Sequence, residues 1–218
     1  MKIKYYGHAA FKITTDKGVR IIIDPYQSGA FGGALLYGKI NEEADIVLTS
    51  HDHDDHNYTE DIKGAFSHIK SAGTHTVKGI RIKAIPSYHD ASKGKERGAN
   101  LFFVIEADNM TIAHAGDLGH DLEDKSIKEV GKIDILLLPV GGFYTIDAAK
   151  ATKVMDHLKP LITIPMHFKT DKCNFPIAGV SEFTDDKKLV KKTMKSEIEI
   201  KKEGLPKEPE IIVLEPAL

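Results

Sequence analysis

The sequence has only one cysteine, Cys173, so the chain cannot form an internal disulfide. A single cysteine is typical of proteins in reducing compartments. The first residues carry no apolar segment of the kind that secretory signals need. No apolar run approaches the ~20 residues of a membrane-spanning helix, and the longest lies around 135–140. We therefore expect a cytoplasmic location and no membrane partner.

The chain also has little excess charge of either sign. Its 218 residues include 30 Lys and Arg against 32 Asp and Glu, which gives a formal net charge of −2. Nucleic-acid-binding domains usually carry a clear positive excess, so we expect no nucleic-acid partner. Length and composition favour one globular domain over residues 1–218. Length and composition do not determine the oligomeric state, and the chain could form a homo-oligomer.

Strand patterns dominate the first half of the chain. Alternation and β-branched residues predict strands at 2–6, 10–15, 19–23, 44–49, 74–77, 80–85, 101–105, 110–113, 133–138, 161–164 and 211–214. Helices are predicted at 125–130, at 147–158 with Thr145 as N-cap, and at 185–194 with a solvated basic face. The glycine-rich segment 26–38 predicts a flexible loop, which could cover a site. Early strands followed by mixed strands and helices favour sheets covered by helices.

Eleven histidines are the unusual feature of the composition, and several gather directly after the predicted strand 44–49. Residues 51–56 contain His51, His53, Asp55 and His56. Side chains two positions apart on an extended segment point to the same side, so His51 and His53 could hold one metal ion. Asp55 and His56 could serve a second ion. Imidazole and carboxylate suit zinc and other first-row divalent metals. The alternative is a solvated, histidine-rich loop.

The segment 51–56, His-Asp-His-Asp-Asp-His, resembles the His-x-His-x-Asp-His signature of the metallo-β-lactamase superfamily. Other segments resemble further elements of that family in the expected order, namely Ile-Asp-Pro at Asp24, Pro-Ser-Tyr-His-Asp at His89, Ala-His-Ala-Gly-Asp at Asp117 and Ile-Pro-Met-His-Phe at His167. With Tyr-Gly-His-Ala-Ala-Phe at 6–11 and Gly-Gly-Phe-Tyr-Thr at 141–145, the chain is most similar to the small branch of ascorbate-6-phosphate lactonase-like proteins.

The resemblance implies a four-layer αββα sandwich of two mixed β-sheets and a metal-dependent hydrolase. It implies two divalent metal ions, zinc by preference with Mn²⁺ also compatible, and a hydroxide shared between them. One ion would take His51, His53 and His89, the other Asp55, His56 and His167, and Asp117 would bridge both. The bond cleaved would be ester-like, a lactone or a phosphoester, in a small molecule that could carry phosphate. An iron-dependent redox enzyme and a non-catalytic metal- or ligand-binding protein are the alternatives.

Asp55 and His8 are the candidate catalytic residues. His8 lies in the predicted turn between the first two strands, where it could contact substrate or donate a proton, and a hydrogen-bonded structural role is the alternative. We expect Asp24 and His114 to orient metal ligands rather than bind metal. Cys173 is not expected to act as a nucleophile, because the sequence shows no paired base for it.

Overall fold

The sandwich of two mixed β-sheets that the sequence predicts is confirmed by the computed structural model, which describes residues 1–218. Its fourteen strands are β1 (Lys2–Gly7), β2 (Ala10–Thr14), β3 (Arg20–Ile23), β4 (Ile46–Leu48), β5 (Ser67–Ile69), β6 (Gly73–Val77), β7 (Ile80–Tyr88), β8 (Ala99–Ala107), β9 (Met110–His114), β10 (Ile135–Pro139), β11 (Ile162–Met166), β12 (Val190–Lys192), β13 (Glu197–Glu199) and β14 (Glu210–Val213). The helices are α1 (Ala30–Gly33), α2 (Asp124–Val130), α3 (Ala148–Leu158) and α4 (Ser181–Thr184), with a 3-10 turn at Lys202–Gly204.

Each sheet combines an antiparallel part with a parallel part. The six-stranded sheet has the order β13-β1-β2-β3-β4-β5, in which β3, β4 and β5 run parallel. The eight-stranded sheet has the order β12-β14-β11-β10-β9-β8-β7-β6, in which the strands from β12 to β9 run parallel. Because parallel strands end at the same edge of a sheet, side chains that follow them are brought together there.

The main core lies between the sheets, and residue alternation within each strand builds it. In β3, for example, Ile21 and Ile23 point into the main core, whereas Ile22 points to the outer face of the six-stranded sheet. The larger apolar cluster, with 47 buried residues, includes the space between the sheets and the contact of the helices with the eight-stranded sheet, and the outer cluster holds 14.

The two outer faces are covered differently. Helices α2 and α3 pack on the eight-stranded sheet, and α3 buries Ala151, Val154 and Leu158. The six-stranded sheet is covered mainly by irregular segments, including the glycine-rich loop, whose Tyr26 and Tyr37 are fully buried. The predicted loop 26–38 is therefore packed along much of its length and contains only the short turn α1.

Two helix predictions are wrong. Asp147, not Thr145, caps α3, because its carboxylate accepts a hydrogen bond from the Lys150 backbone N–H at 2.8 Å. The predicted helix 185–194 is also absent, since α4 ends at Thr184 and Val190–Lys192 form β12, an edge strand parallel to β14. The lysine-rich segment suits a sheet edge, where charged side chains oppose pairing with another chain.

None of the helices has the length and apolar character needed to cross a membrane.

Candidate metal centre

The predicted ligands all follow strand ends at one edge of the sandwich. Residues 51–56 come after β4, His89 after β7, Asp117 after β9 and His167 after β11. His8 lies in the turn between β1 and β2, and its backbone carbonyl accepts the His167 N–H at 2.7 Å. The six-stranded sheet thus supplies one half of the site, and the eight-stranded sheet supplies the other.

Side chains from both sheets meet in two neighbouring groups, which a third group of His51, His56 and Asp117 connects. The possible ligand atoms of His51, His53 and His89 lie within 4.8 Å of one another. Those of Asp55, His56 and His167 form a second group at the same spacing, and His8 belongs to it as well. The structure therefore brings together all the side chains that the resemblance assigns to two ions.

Asp117 lies between the two groups. Its Oδ2 is 3.1 Å from Nε2 of His89, 3.2 Å from Nε2 of His56 and 3.3 Å from Nε2 of His167. One carboxylate oxygen therefore contacts histidines of both groups, which is the position that a bridging ligand requires.

Unpartnered polar atoms concentrate in this cluster. Nine buried side-chain nitrogen or oxygen atoms in the molecule have no hydrogen-bond partner, and seven belong to the cluster: His8 Nδ1, His51 Nε2, Asp55 Oδ1, His56 Nε2, His89 Nδ1, Asp117 Oδ1 and His167 Nδ1. In His8, His89 and His167 the unpartnered nitrogen is Nδ1, whereas Nε2 contacts Asp55 or Asp117. Unsatisfied buried polar atoms are costly and rare, so the other four, on His51, Asp55, His56 and Asp117, call for a ligand. All are imidazole nitrogens or carboxylate oxygens, and this donor set fits divalent first-row metals.

Asp24 orients two of the histidines from behind. Its Oδ2 accepts hydrogen bonds from His56 Nδ1 at 2.9 Å and from the Ser50 hydroxyl at 2.7 Å. The Ser50 hydroxyl can then accept from His51 Nδ1, which lies 2.9 Å away. Both imidazoles are thereby held as Nδ1–H tautomers with Nε2 free to bind a metal. Burial alone would raise the pKa of Asp24, but the hydrogen bond and charge of His56 lower it below its usual value.

The loop that carries Asp117 is shaped by polar contacts behind it. His114 Nε2 donates to the Ala9 carbonyl at 2.9 Å, so His114 Nδ1 is free to accept the Gly116 N–H at 3.0 Å. The Asn100 side chain accepts the Asp117 N–H at 2.9 Å. A Cβ at Gly116 would lie only 2.3 Å from Asn100 Oδ1, so the loop requires glycine there. Both nitrogens of His114 are thus engaged in holding the loop.

His8 lies underneath the cluster rather than on a solvent-facing wall. It is fully buried, and its Nε2 is 3.0 Å from Oδ2 of Asp55. Burial, followed by the charge of His167, lowers the pKa of His8 to about 4 despite the opposing effect of Asp55. Its φ is 55°, and Asp24 and His167 also have positive φ values of 47° and 51°. Such backbone strain in residues other than glycine often collects at functional sites.

A small cavity of about 230 Å³ opens over the cluster. Its lining consists of five proposed ligands, His53, Asp55, His89, Asp117 and His167, and of four further residues, here called the mouth: Phe31, Arg97, Tyr144 and Phe175. The residues of the mouth were not identified from the sequence. Phe31 could have been suspected from its place in the glycine-rich loop, and Tyr144 from the Gly-Gly-Phe-Tyr-Thr segment. Nothing in the local sequence distinguishes Arg97 or Phe175.

The family model described as "Beta-lactamase superfamily domain" matches residues 2–167, the segment that holds every residue of the cluster. A UPF0173 metal-dependent hydrolase from Thermococcus onnurineus is 34% identical over 215 residues, which cover 87% of this chain and 92% of that protein. A UPF0173 metal-dependent hydrolase from Staphylothermus marinus is 33% identical in an alignment that covers 93% of this chain and 96% of that protein.

Two solved structures of metal-dependent hydrolases have the same fold as this chain. The crystal structure of a proposed Zn-dependent hydrolase of the metallo-beta-lactamase superfamily from Thermotoga maritima matches with a TM-score of 0.82 and 34% identity, covering 98% of this chain and 97% of that one. Igni18, a metallo hydrolase from Ignicoccus hospitalis, matches with a TM-score of 0.65 and 24% identity, covering 99% and 95%. At that identity the likeness of Igni18 concerns the fold alone.

Proposed function

Because the chain belongs to the metallo-β-lactamase superfamily and is one of its metal-dependent hydrolases, we propose that it uses two divalent metal ions to hydrolyse an ester-like bond in a small molecule. The bond is the ester bond of a lactone or of a phosphoester. The observation that carries this proposal is the clustering of the seven proposed ligands, four of which, His51, Asp55, His56 and Asp117, carry a buried atom without a hydrogen-bond partner.

The ligands are assigned by the grouping of their atoms. His51, His53 and His89 would hold one ion, and Asp55, His56 and His167 the other. Asp117 would bridge the two, which its short contacts to both groups support. Zinc is the proposed metal, since the donor set suits it and the relative from Thermotoga maritima is described as Zn-dependent. Manganese is compatible with the same ligands.

Two divalent ions held by these residues would supply a hydroxide nucleophile near neutral pH and would stabilise the negative charge that develops on the oxygen of the attacked carbonyl or phosphoryl group. The protein's own contribution is to position the groups around the reaction. The carboxylates of Asp55 and Asp117 would offset the positive charge of the two ions. Phe31, Tyr144 and Phe175 supply aromatic surface to the cavity that a substrate could contact.

His8 is proposed to position Asp55. Its Nε2 can donate to Asp55 Oδ2, and this bond fixes one carboxylate oxygen while Oδ1 remains unpartnered. His8 is absent from the cavity lining, which favours this role over direct contact with substrate. Cys173 is fully buried and its pKa is raised by burial, so it is not proposed as a nucleophile.

Metal analysis combined with a panel of chromogenic esters, phosphodiesters and lactones tests the proposal. We expect two ions per chain and metal-dependent turnover of at least one ester-like class. Asp117→Ala should lose metal and activity together, whereas Cys173→Ala should keep most of the activity. One ion per fully active chain would contradict the two-metal assignment. Bound iron with oxygen uptake would indicate a redox enzyme, and tight binding without turnover would indicate a binding protein.

A further inference from the structure

Arg97 differs from the other two arginines of the chain in having no close anionic partner. Arg20 binds Asp45 at 3.0 Å, and Arg81 binds Glu106 at 2.6 Å. The nearest carboxylate oxygen to Arg97 is on its sequence neighbour Glu96, at 3.9 Å. This guanidinium, whose one ion pair is long, lines the cavity over the proposed metal centre.

The backbone that carries Arg97 is fixed relative to the metal ligands. The carboxylate of Asp90, which directly follows His89, accepts backbone N–H groups of four residues at 2.7–3.1 Å: Ser92, Gly94, Glu96 and Arg97. The loop closes through a bond from the His89 N–H to the Gly98 carbonyl at 3.1 Å. The position of Arg97 is thereby tied to that of His89.

The side chain of Arg97 makes a cation–π contact with an aromatic ring of the cavity. Its guanidinium carbon lies 5.8 Å from the ring centre of Tyr144, and that ring packs against Phe175 at 5.5 Å. The guanidinium N–H groups of Arg97 form no hydrogen bond within the chain, so they can bind two oxygens of one anion.

Arg97 does not neutralise the carboxylates that share its cavity. Asp55 and Asp117 both line the cavity, yet neither forms an ion pair with Arg97 within 4.0 Å. Arg97 also borders an adjacent groove of about 370 Å³ that contains Lys70, a second cation without an ion pair. The side of the cavity that carries Arg97 therefore presents a guanidinium whose one ion pair, to Glu96 at 3.9 Å, is long, with Lys70 as a second cation nearby.

We propose that Arg97 recognises an oxyanion on the substrate, a carboxylate or a phosphate group, at the end remote from the bond that is cleaved. This inference rests on the proposed hydrolase function and narrows its substrate class to small anions. The size of the cavity agrees, since about 230 Å³ is below the ~300–1,000 Å³ of pockets for drug-sized ligands.

Equilibrium binding of three matched compounds to the metal-loaded protein tests the proposal. Butyrate has one carboxylate, which can bind at the metal centre, and succinate and 3-phosphonopropionate add a second anion at the other end. By calorimetry we expect both dianions, or one of them, to bind at least ten times more tightly than butyrate. The tighter dianion identifies carboxylate or phosphate as the preferred group.

Variants of Arg97 show whether this residue, rather than the metal ligands, causes the preference for dianions. Arg97→Gln should weaken dianion binding by about 10–100-fold, the range of charge-assisted hydrogen bonds, while butyrate binding and metal content stay within twofold. Arg97→Lys should restore only part of the affinity, because lysine lacks the planar fork. Arg81→Gln, the matched control, should change nothing. A dianion preference that survives in Arg97→Gln, or is absent from the wild type, would overturn the inference.

The outcomes also distinguish this inference from the proposed function. Turnover of neutral esters that Arg97→Gln leaves unchanged, without any dianion preference, would retain the hydrolase and reject the anion site. Arg97-dependent dianion binding without turnover of any ester would retain the anion site and reject the proposed chemistry.

Discussion

Asp24 shows how a single buried carboxylate can set the state of several metal ligands. Asp24→Asn keeps the size of the side chain but replaces one carboxylate oxygen with an NH₂ donor. Oδ1 accepts the Ser50 backbone N–H, so the NH₂ group would take the place of Oδ2, which now accepts from His56 and from the Ser50 hydroxyl. His56 would then be driven toward the tautomer whose Nε2 carries the proton and cannot bind metal. We expect metal affinity to fall by about 10–100-fold, measured by competition with a chelator. Asp186→Asn, at an exposed position, is the control, and equal affinity in both variants would show that Asp24 is not needed.

His8 can be assigned by comparing two substitutions. If His8 positions Asp55, His8→Ala should lower kcat by about 10–100-fold with little change in KM. His8→Gln should recover most of that loss, because its amide can still donate to Asp55. Steady-state kinetics at constant metal content provides the measurement. A loss of about 10²–10⁴-fold in both variants with metal intact would instead identify His8 as the proton donor.

At the scale of elements, Glu42 connects the segment that follows the glycine-rich loop to strands β1 and β2. Lys4 of β1 and Lys12 of β2 are direct cross-strand partners, and like charges in such positions repel. Glu42 forms ion pairs with both. Burial opposes ionisation of Glu42, but the hydrogen bonds and charges of Lys12 and Lys4 lower its pKa from 4.5 to about 2.

A pH-dependent stability follows from this shift. A carboxyl group with a lowered pKa in the folded state stabilises the fold above its unfolded pKa of about 4.5 and loses that effect as the pH falls toward 2. Glu42→Gln should therefore cost about 1 kcal/mol or less at pH 7, because the pair is partly exposed and screened. Thermal unfolding should show the gap to wild type narrowing between pH 6 and pH 3. Glu208→Gln, at an exposed position without an ion pair, is the control, and a gap independent of pH would refute the assignment.

The elements that sequence patterns predicted are those with strong alternation. The central strands, such as β3 and β10, have dense β-branched or apolar runs that leave little choice of structure. The edge strands β5, β12 and β13 have only three residues each, and pairing with a neighbouring strand stabilises them more than their own sequence does. Local pattern could not reveal such strands, and it assigned 185–194 to a helix for the same reason.

At the scale of the whole molecule, the sequence predicted the groups that could bind metal better than the groups that surround them. Histidines and aspartates stand out because few other roles place them directly after buried strands. Arg97 and Phe175 reach the cavity only because separate loops fold over the same edge of the sandwich. Spatial proximity of that kind depends on the tertiary fold, and no spacing within one segment encodes it.

The division of the proposed ligands between the two sheets makes metal binding a test of the whole fold. Residues 51–56 belong to the six-stranded sheet, whereas His89, Asp117 and His167 belong to the eight-stranded sheet. Ions bound between them would connect the two sheets, and a ligand that binds only the folded state stabilises it by about 2.7 kcal/mol at 100 times its Kd. For a chain of this length, that corresponds to a rise in Tm of roughly 5–10 °C.

Thermal unfolding of metal-free protein with increasing free Zn²⁺ measures this effect. We expect Tm to rise with metal concentration in the wild type. Asp117→Ala should show a much smaller rise, since it removes the residue that contacts both groups. His157→Ala, which changes an exposed histidine of α3, should respond as the wild type does. If Asp117→Ala is stabilised as strongly as the wild type, Zn²⁺ binds elsewhere and the two sheets are not joined through this centre.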